Sequence, residues 1–121
     1  MSLKFTVVTA VFNAEDVIEK TIKSVLNQTY TPYEYLIIDG KSSDKTVEII
    51  RKYSKHFEEK NITLKIVSEK DNGIYNAMNK GIDLAEGDFI SFLNAGDWYE
   101  LDALENINKF YEEDSFDLTY G

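Results

Sequence analysis

Runs of apolar residues of strand length alternate along this chain with stretches whose apolar residues recur at helical spacing. This alternation is typical of β-α-β units, in which helices connect the parallel strands of one sheet. The strand-like runs are Phe5 to Val11, Tyr35 to Ile38, Leu64 to Val67, Phe89 to Leu93 and Phe116 to Tyr120. The sequence therefore predicts an α/β fold built on a mostly parallel sheet.

The segments between these runs carry the apolar positions of amphipathic helices. Asn13, with Asp16 three residues later, predicts the start of the first helix, and Ser43 or Asp44 predicts the start of the second. The predicted buried faces are Val17, Ile18, Ile22, Val25 and Leu26, then Val47, Ile50, Tyr53 and Phe57, then Ile74, Ala77, Met78 and Ile82, then Leu101, Leu104, Ile107 and Phe110.

Charge and hydropathy exclude several classes of partner. The formal net charge of -9 argues against nucleic acid, because phosphate backbones are bound by clustered Lys and Arg. No apolar run approaches the ~18 residues that a membrane-spanning helix needs. The chain has no cysteine and no recognisable leader peptide. We therefore expect no transmembrane segment, and a location in the cytoplasm or at the inner face of a membrane.

Polar residues stand near the ends of the predicted strands, where open α/β sheets bind their ligands. They fall in four places: Thr9 with Asn13, Asp39 with Ser42 and Asp44, Glu69 to Asn72, and Asn94 with Asp97. Helix capping and turn formation explain most such residues when each is taken alone. Four polar loops at one edge of a sheet together have the form of a binding site.

Four motifs of glycosyltransferase family 2, the first of them in two parts, have similar segments in this chain, in the family's order and spacing. Thr9 to Ala14 followed by Ser24 to Tyr30 is similar to the opening strand, helix and S-V-L-x-Q-T-Y turn, and Ile38 to Thr46 is similar to V-D-D-G-S-T-D-x-T. Asp71 to Gly81 contains N-G-x-x-x-A-x-N-x-G, and Leu93 to Trp98 stands in the place of D-x-D-D. The resemblance covers essentially the whole chain. It implies the GT-A fold of nucleotide-diphospho-sugar transferases, a Rossmann-like, mostly parallel sheet with flanking helices.

The resemblance implies which residues bind a nucleotide-sugar donor and its metal. The nucleoside base would be held by the first loop and by Asp39, whose carboxylate would accept the ring N–H of uracil. Asp97 would bind a divalent cation, Mn²⁺ or Mg²⁺, which prefer hard oxygen ligands. Asp39, Asn72 and Asp97 each have an ordinary alternative as turn or cap residues. The implied donor-binding residues are Thr9, Ala10, Val11, Phe12, Asn13, Asp39, Asn72, Asn94 and Ala95.

The chain departs from the family pattern where charge matters most. Asn94 and Gly96 replace acidic residues of the D-x-D element, so that Asp97 alone keeps a carboxylate there. Gly40 replaces the second Asp of D-D-G, and Met78 stands where many members have Arg. We therefore expect fewer contacts to metal and phosphate than the family pattern provides.

The implied activity is inverting transfer of a sugar from a nucleoside-diphosphate sugar, expected to be UDP-linked. A saccharide or lipid-linked molecule would accept it, in polysaccharide or glycoconjugate synthesis. We expect residues 1–121 to form a single donor-binding domain, truncated before the acceptor half. No catalytic residue is then expected in this chain, because the base would lie beyond Gly121.

Three other interpretations use the same fold or ligand. A non-catalytic nucleotide-binding or regulatory module remains compatible with the weakened D-x-D element. A phosphoacceptor signalling domain would need acidic residues at the end of the first strand, where this chain has Thr9 and Ala10. A sugar nucleotidyltransferase would need a Gly-rich, basic loop at that place. His56 and the cluster Glu112, Glu113 and Asp114 are interpreted as solvated surface.

Overall fold

The computed structural model describes residues 3–70 and 74–114 as a parallel sheet with flanking helices. The strands are β1 (Phe5–Val11), β2 (Glu34–Asp39), β3 (Thr63–Ser68) and β4 (Phe89–Phe92). They lie in the order β3-β2-β1-β4, and all three pairings are parallel. The predicted α/β class and parallel sheet are therefore confirmed. The predicted fifth strand, Phe116 to Tyr120, lies outside the described residues.

Five helices connect or follow the strands in the described part of the chain. They are α1 (Ile18–Leu26), α2 (Thr46–Lys52), α3 (Ser54–Glu59), α4 (Ile74–Leu84) and α5 (Ala103–Asp114). The second predicted helix is divided at Tyr53, which ends α2 and precedes α3. Its predicted face is still correct, because Ile50 and Phe57 on the two pieces are both fully buried. No helix within 3–70 or 74–114 is long and apolar enough to cross a membrane.

The sheet has a larger and a smaller apolar layer. On one face, Phe5, Val7 and Ile37 pack with residues of α1, α2, α3 and α5. On the other face, Val8, Leu36 and Ile38 pack with Ala77 of α4. Alternate residues of β1 and β2 thus point to opposite layers, as the pleat requires, and both central strands are buried on both faces.

Four predicted face residues are exposed, which corrects the predicted faces at their edges: Val17, Ile82, Leu101 and Phe110. Val17 and Leu101 precede the helices to which they were assigned, since α1 begins at Ile18 and α5 at Ala103. For these two residues, helical spacing was extended beyond the helix ends, where periodicity no longer predicts which way a side chain points. Ile82 and Phe110 lie within α4 and α5, on their solvent-facing sides.

Asn13 does not cap α1, so that prediction was wrong. The helix begins five residues later, and Val17 at its N-cap position makes no side-chain capping bond. Asn13 has a φ of 47°, in the left-handed region that Asn tolerates. Its amide oxygen accepts the N–H of Ser43 at 2.8 Å. The N-cap residue of α2 is Lys45, which makes no side-chain capping bond, so neither Ser43 nor Asp44 occupies the predicted position. Asp44 still stabilises the first turn, because its carboxylate accepts the Thr46 N–H at 3.0 Å.

Candidate functional site

The carboxyl ends of the four parallel strands lie at one edge of the sheet. We call three loops at this edge the rim loops: residues 12–17 after β1, 40–45 after β2 and 93–102 after β4. They are neighbours because β1 lies between β2 and β4. Their contacts decide what a ligand at this edge would meet.

Asp39, the last residue of β2, is completely buried and holds the base of the site together. Its carboxylate accepts the N–H of Ser42 at 3.1 Å and the hydroxyls of Ser42 and Ser68. A carboxylate offers about four acceptor positions, so three donors leave about one for a ligand. Asp39 is therefore a structural turn residue whatever it binds, and its removal should also affect the fold, contrary to the expectation for a free loop residue.

The first two rim loops are joined by side chains of the second motif. The Ser42 hydroxyl, which donates to Asp39, also accepts the Asn13 N–H at 2.8 Å. The Thr46 hydroxyl accepts the Ala14 N–H at 2.8 Å and donates to Asp44. With the Asn13 to Ser43 bond, these contacts leave little freedom to the loop after β1.

Asp44 contributes a negative charge that the loops stabilise. Its carboxylate accepts hydrogen bonds from the Thr46 hydroxyl and from the N–H groups of Thr46 and Glu15. Burial raises the pKa of Asp44, but these hydrogen bonds outweigh that effect and hold its pKa below the ordinary value. Asp44 thus remains ionised while it connects the two loops.

The predicted base-binding residues differ in what they can offer a ligand. Thr9 lies inside β1 rather than after it, and its buried hydroxyl is bonded to that of Tyr35 at 2.7 Å. Val11 is buried, and Ala10 is half-buried against the layer that includes α4. Phe12 and Asn13 are exposed at the rim, with 62% of the Phe12 surface accessible. Phe12 and Asn13 are therefore the members of this set whose side chains lie open to solvent.

The third rim loop carries the altered D-x-D element on a tight turn. The Asp97 N–H donates to the Asn94 carbonyl at 3.0 Å, and both residues are exposed. Ala95 is half-buried, and Gly96 has a φ of 96°, a value that favours glycine. The turn thus presents one carboxylate and one amide to solvent.

The donor set fits a hard divalent cation that is held partly by its substrate. Residues 3–70 and 74–114 contain no group of three or more His, Asp or Glu side chains placed to hold a metal. Asp97, with Asn94 beside it, offers oxygen ligands of the kind Mg²⁺ and Mn²⁺ prefer. The remaining ligands would have to be diphosphate oxygens and water, which is common for Mg²⁺ in nucleotide sites.

Helix α1 and the turn that follows it anchor the third rim loop, a feature that the sequence interpretation missed. The Gln28 amide donates to the Glu100 carbonyl at 2.6 Å and accepts the Leu104 N–H at 3.0 Å. The Thr21 hydroxyl accepts the Gly96 N–H and donates to the Asp97 carbonyl. The available signals were a Gln in the S-V-L-x-Q-T-Y motif and a Thr on a mostly apolar helix face.

Two aromatic residues follow Asp97 and behave differently. Tyr99 is half-buried, and its hydroxyl pairs with that of Ser91 on β4, as expected for a loop anchor. Trp98 does not pack in this way, because 53% of its surface is exposed. Its ring instead lies under the Lys20 ammonium, 3.4 Å from the ring centre. The indole is thus held on α1 by a cation–π contact.

The loop after β3 completes the edge of the sheet. Glu69 pairs with Lys80 of α4 at 2.7 Å, and its N–H donates to the Asp39 carbonyl at 2.9 Å. Asn72, the remaining predicted donor residue, lies outside the described residues. A surface groove of about 670 Å³ is found elsewhere, between α3 and β3, where Arg51, Glu58 and Leu64 line it. None of the predicted donor-binding residues within 3–70 or 74–114 lines that groove.

Comparison with known proteins identifies the relatives of this chain. The model of "Glycosyl transferase family 2" matches residues 6–121. A "PGL/p-HBAD biosynthesis glycosyltransferase" of Mycobacterium bovis is 34% identical over 97% of this chain and 45% of its own length. The "putative teichuronic acid biosynthesis glycosyltransferase TuaG" of Bacillus subtilis is 34% identical over 91% and 42%. The chain thus spans less than half the length of these two curated relatives.

Solved structures with the same fold carry nucleotide sugars. S. aureus TarS in complex with UDP-GlcNAc matches with a TM-score of 0.79 and 26% identity, covering 91% of this chain and 31% of that one. The mannosyltransferase PcManGT of Pyrobaculum calidifontis, in complex with GDP-Man and Mn²⁺, has the same TM-score at 24% identity, covering 92% and 33%. The expected GT-A fold is therefore confirmed, and the chain belongs to glycosyltransferase family 2.

Proposed function

We propose that this chain binds a nucleoside-diphosphate sugar at the rim loops and is the donor-binding part of an inverting glycosyltransferase. The observation that carries the proposal is the bonding of the motif residues to one another. Asp39, Ser42 and Asn13 form one hydrogen-bonded series across two loops, and the turn carrying Asp97 lies on the neighbouring strand end. A preformed polar site of this kind binds a small ligand with little ordering cost.

Asp39 and Phe12 are proposed to recognise the base. Asp39 is completely buried, so the neighbouring chain must move before a base can reach its remaining acceptor position. That position suits the N–H that uracil carries in its ring and that cytosine lacks. The exposed Phe12 ring offers an apolar surface to the flat face of the base. Thr9, Ala10, Val11 and Asn13 are proposed to contribute through the shape and backbone groups of the first rim loop, and Asn72 through base or phosphate.

Asn94, Ala95 and Asp97 are proposed to hold the ribose and a divalent cation, Mn²⁺ or Mg²⁺. When bound, such a cation stabilises negative charge on the departing nucleoside diphosphate. Asp97 would be its protein carboxylate, and the Asn94 amide would meet the ribose hydroxyls. The turn from Asn94 to Asp97 keeps both side chains on one short segment. The ribose and the diphosphate with its cation would therefore be held next to each other.

The acceptor and the catalytic base are proposed to be bound and supplied from outside residues 1–121. The curated relatives named above are more than twice as long as the span they share with this chain, which supports this assignment. Their names refer to PGL/p-HBAD and teichuronic acid biosynthesis. A saccharide or lipid-linked acceptor in polysaccharide or glycoconjugate synthesis is therefore proposed, with the cytoplasm or inner membrane face as its location.

One alternative function is favoured by a specific observation. Asn94 and Gly96 leave a single carboxylate in the third rim loop, and a non-catalytic nucleotide-binding module needs no more than that. An assay of sugar transfer distinguishes the glycosyltransferase from the binding module, because a binding module would hold the donor without consuming it.

Calorimetric titration of this chain with UDP and with CDP, each with and without Mn²⁺, tests the proposal. We expect UDP to be preferred by about 1–3 kcal/mol, the value of one hydrogen bond between a base and a charged group, and to bind more tightly with Mn²⁺. Asp39→Asn should remove the preference. Ser68→Ala is the matched control, because it removes one bond to Asp39 and keeps the carboxylate. Equal affinity for UDP and CDP in the wild type would contradict the proposed base recognition.

A further inference from the structure

Thr21 of α1 holds the backbone on both sides of the residue proposed to bind metal. Its hydroxyl is fully buried, accepts the Gly96 N–H at 2.9 Å and donates to the Asp97 carbonyl at 2.7 Å. The Asp97 N–H is held separately by the Asn94 carbonyl. Both backbone polar groups of Asp97 are therefore bonded, while its carboxylate lies on an exposed residue.

The packing of α1 alone does not explain why residue 21 carries a hydroxyl. Thr21 lies three residues after Ile18 and four before Val25, on the face of α1 that is buried in the core. A valine of the same shape would satisfy the apolar packing. It would also leave the Gly96 N–H and the Asp97 carbonyl without their partner, which costs free energy because both hydrogen bonds are partly buried. The hydroxyl thus serves the third rim loop rather than the helix.

Neighbouring contacts make α1 a rigid support for the same loop. A β-carbon placed on Gly96 would lie 3.6 Å from Val17, so the loop runs directly along the start of α1. One residue before Thr21, the Lys20 ammonium lies over the Trp98 ring. Side chains that are fixed on a helix position a site more accurately than side chains on a free loop.

We propose that Thr21 is a positioning residue that directs the Asp97 carboxylate toward the donor's diphosphate and its cation. The inference rests on the proposed function. The hydroxyl bonds to the chain before and after the Asp97 α-carbon, so it sets the orientation of the Asp97 side chain without touching any ligand. Gly96 alone would leave this segment free to rotate, since a glycine has little conformational preference of its own.

Three variants separate positioning from general stability. Thr21→Val removes the hydroxyl and keeps the shape, and Thr21→Ser restores the hydroxyl. Ser24→Ala is the matched control, because the Ser24 hydroxyl donates to the Thr21 carbonyl within α1 rather than to the loop. For each variant, amide hydrogen exchange at Gly96 and the UDP affinity with and without Mn²⁺ are measured. The exchange measurement needs no ligand and no activity.

We expect Thr21→Val to lower the protection of the Gly96 amide at least about tenfold, equivalent to ~1.4 kcal/mol. It should also abolish most of the Mn²⁺ enhancement while the UDP affinity without metal stays unchanged. Thr21→Ser should recover both properties, and Ser24→Ala should keep both. A folded Thr21→Val chain that binds UDP more weakly both with and without Mn²⁺ would overturn the positioning role.

The possible failures are distinguishable from one another. If Mn²⁺ does not change the UDP affinity of the wild-type chain, the metal role in the proposed function is wrong. A Thr21→Val chain that keeps the wild-type Mn²⁺ enhancement overturns the role of Thr21 alone. If Thr21→Val does not fold, the wild-type exchange rate decides, because an unprotected Gly96 amide would mean that Thr21 does not hold the loop.

Discussion

Gly81 of α4 lies so close to Val8 of β1 that a β-carbon added to the glycine would stand 2.5 Å from the Val8 Cγ1 atom. Alanine is the better helix former by about 1 kcal/mol, but here it would force the helix away from the sheet. We expect Gly81→Ala to lower the free energy of unfolding by about 1–3 kcal/mol, measured in urea. Asp83→Ala, at an exposed position of the same helix, should change it by less than about 0.5 kcal/mol. A Gly81→Ala chain more stable than the wild type would show that α4 can shift freely.

Gln28 connects α1 to the start of α5 through both ends of its amide. The nitrogen donates to the Ser24 and Glu100 carbonyls, and the oxygen accepts the Leu104 N–H. We expect Gln28→Ala to cost about 2–4 kcal/mol, because two or more buried partners lose their bonds. Gln28→Glu should cost at least as much, since a carboxylate would face two carbonyl oxygens.

Thermal and urea unfolding of the Gln28 variants provide the measurement, with Thr29→Val as the control. The Thr29 hydroxyl makes one exposed 3.3 Å contact to the Leu101 carbonyl, so its loss should have a small effect. A Gln28→Glu chain as stable as the wild type would mean that the side chain accepts hydrogen bonds without donating any.

Glu34 is a buried carboxylate at the amino end of β2, and it should make stability depend on acid pH. The Thr6 hydroxyl and the Glu86 N–H donate to it, and the Lys65 ammonium lies 3.5 Å away. Burial raises the pKa of Glu34, but the hydrogen bonds and Lys65 outweigh it and lower the pKa below 4.5. A lowered pKa stabilises the fold above that pH, and the contribution is lost as the pH falls through the folded-state pKa.

We therefore expect Glu34→Gln to destabilise the chain by about 1–3 kcal/mol near neutral pH and to flatten the loss of stability below pH 4.5. Urea unfolding across an acid pH series measures both effects. Glu59→Gln, at an exposed position of α3, serves as the control and should keep the wild-type pH profile. An unchanged profile in Glu34→Gln would assign the acid sensitivity to other carboxylates.

Asp97 and Asn94 should affect nucleotide binding in different ways. Asp97→Asn keeps the shape but weakens the proposed metal ligand, so the Mn²⁺ enhancement of UDP affinity should fall by about tenfold, or ~1.4 kcal/mol. Asn94→Ala should weaken UDP binding equally with and without Mn²⁺, because it removes a ribose contact. Titration calorimetry over a Mn²⁺ series measures both. If Asp97→Asn keeps the wild-type metal dependence, Asp97 is a turn residue only.

The strands and their order along the chain followed from local sequence, because residues buried on both faces form continuous apolar runs. The four described strands begin and end within one residue of the predicted positions. The division of the second helix at Tyr53 left no trace in the apolar spacing, since Ile50 and Phe57 remain on one face. Asn13 was assigned to a helix cap because Asn is common at that position. Its actual bond, to Ser43, joins residues that are distant in sequence, and local spacing does not reveal such a bond.

The edge of the sheet that carries the candidate site was also predictable, because parallel strands place their carboxyl ends together. The burial of the site residues and their hydrogen-bond partners could not be predicted. The sequence placed Asp39 after the predicted second strand, but it is the last residue of β2 and is buried among donors from Ser42 and Ser68. Thr21 and Gln28 act across more than 70 residues of sequence, and a spacing pattern within one helix does not reveal a partner so far away.

The central position of β1 has a consequence for how the chain is made. Phe5 pairs with Phe89, so β1 leaves the ribosome well before its partner β4 is made. At 5–20 residues per second, the 84 residues between them take roughly 4–17 s to synthesise. During this time β1 can pair with β2, and β2 with β3, while the other edge of β1, whose residues are buried on both faces of the folded sheet, stays unpaired. The nascent chain is therefore most prone to aggregate, and most in need of a chaperone, just before β4 emerges.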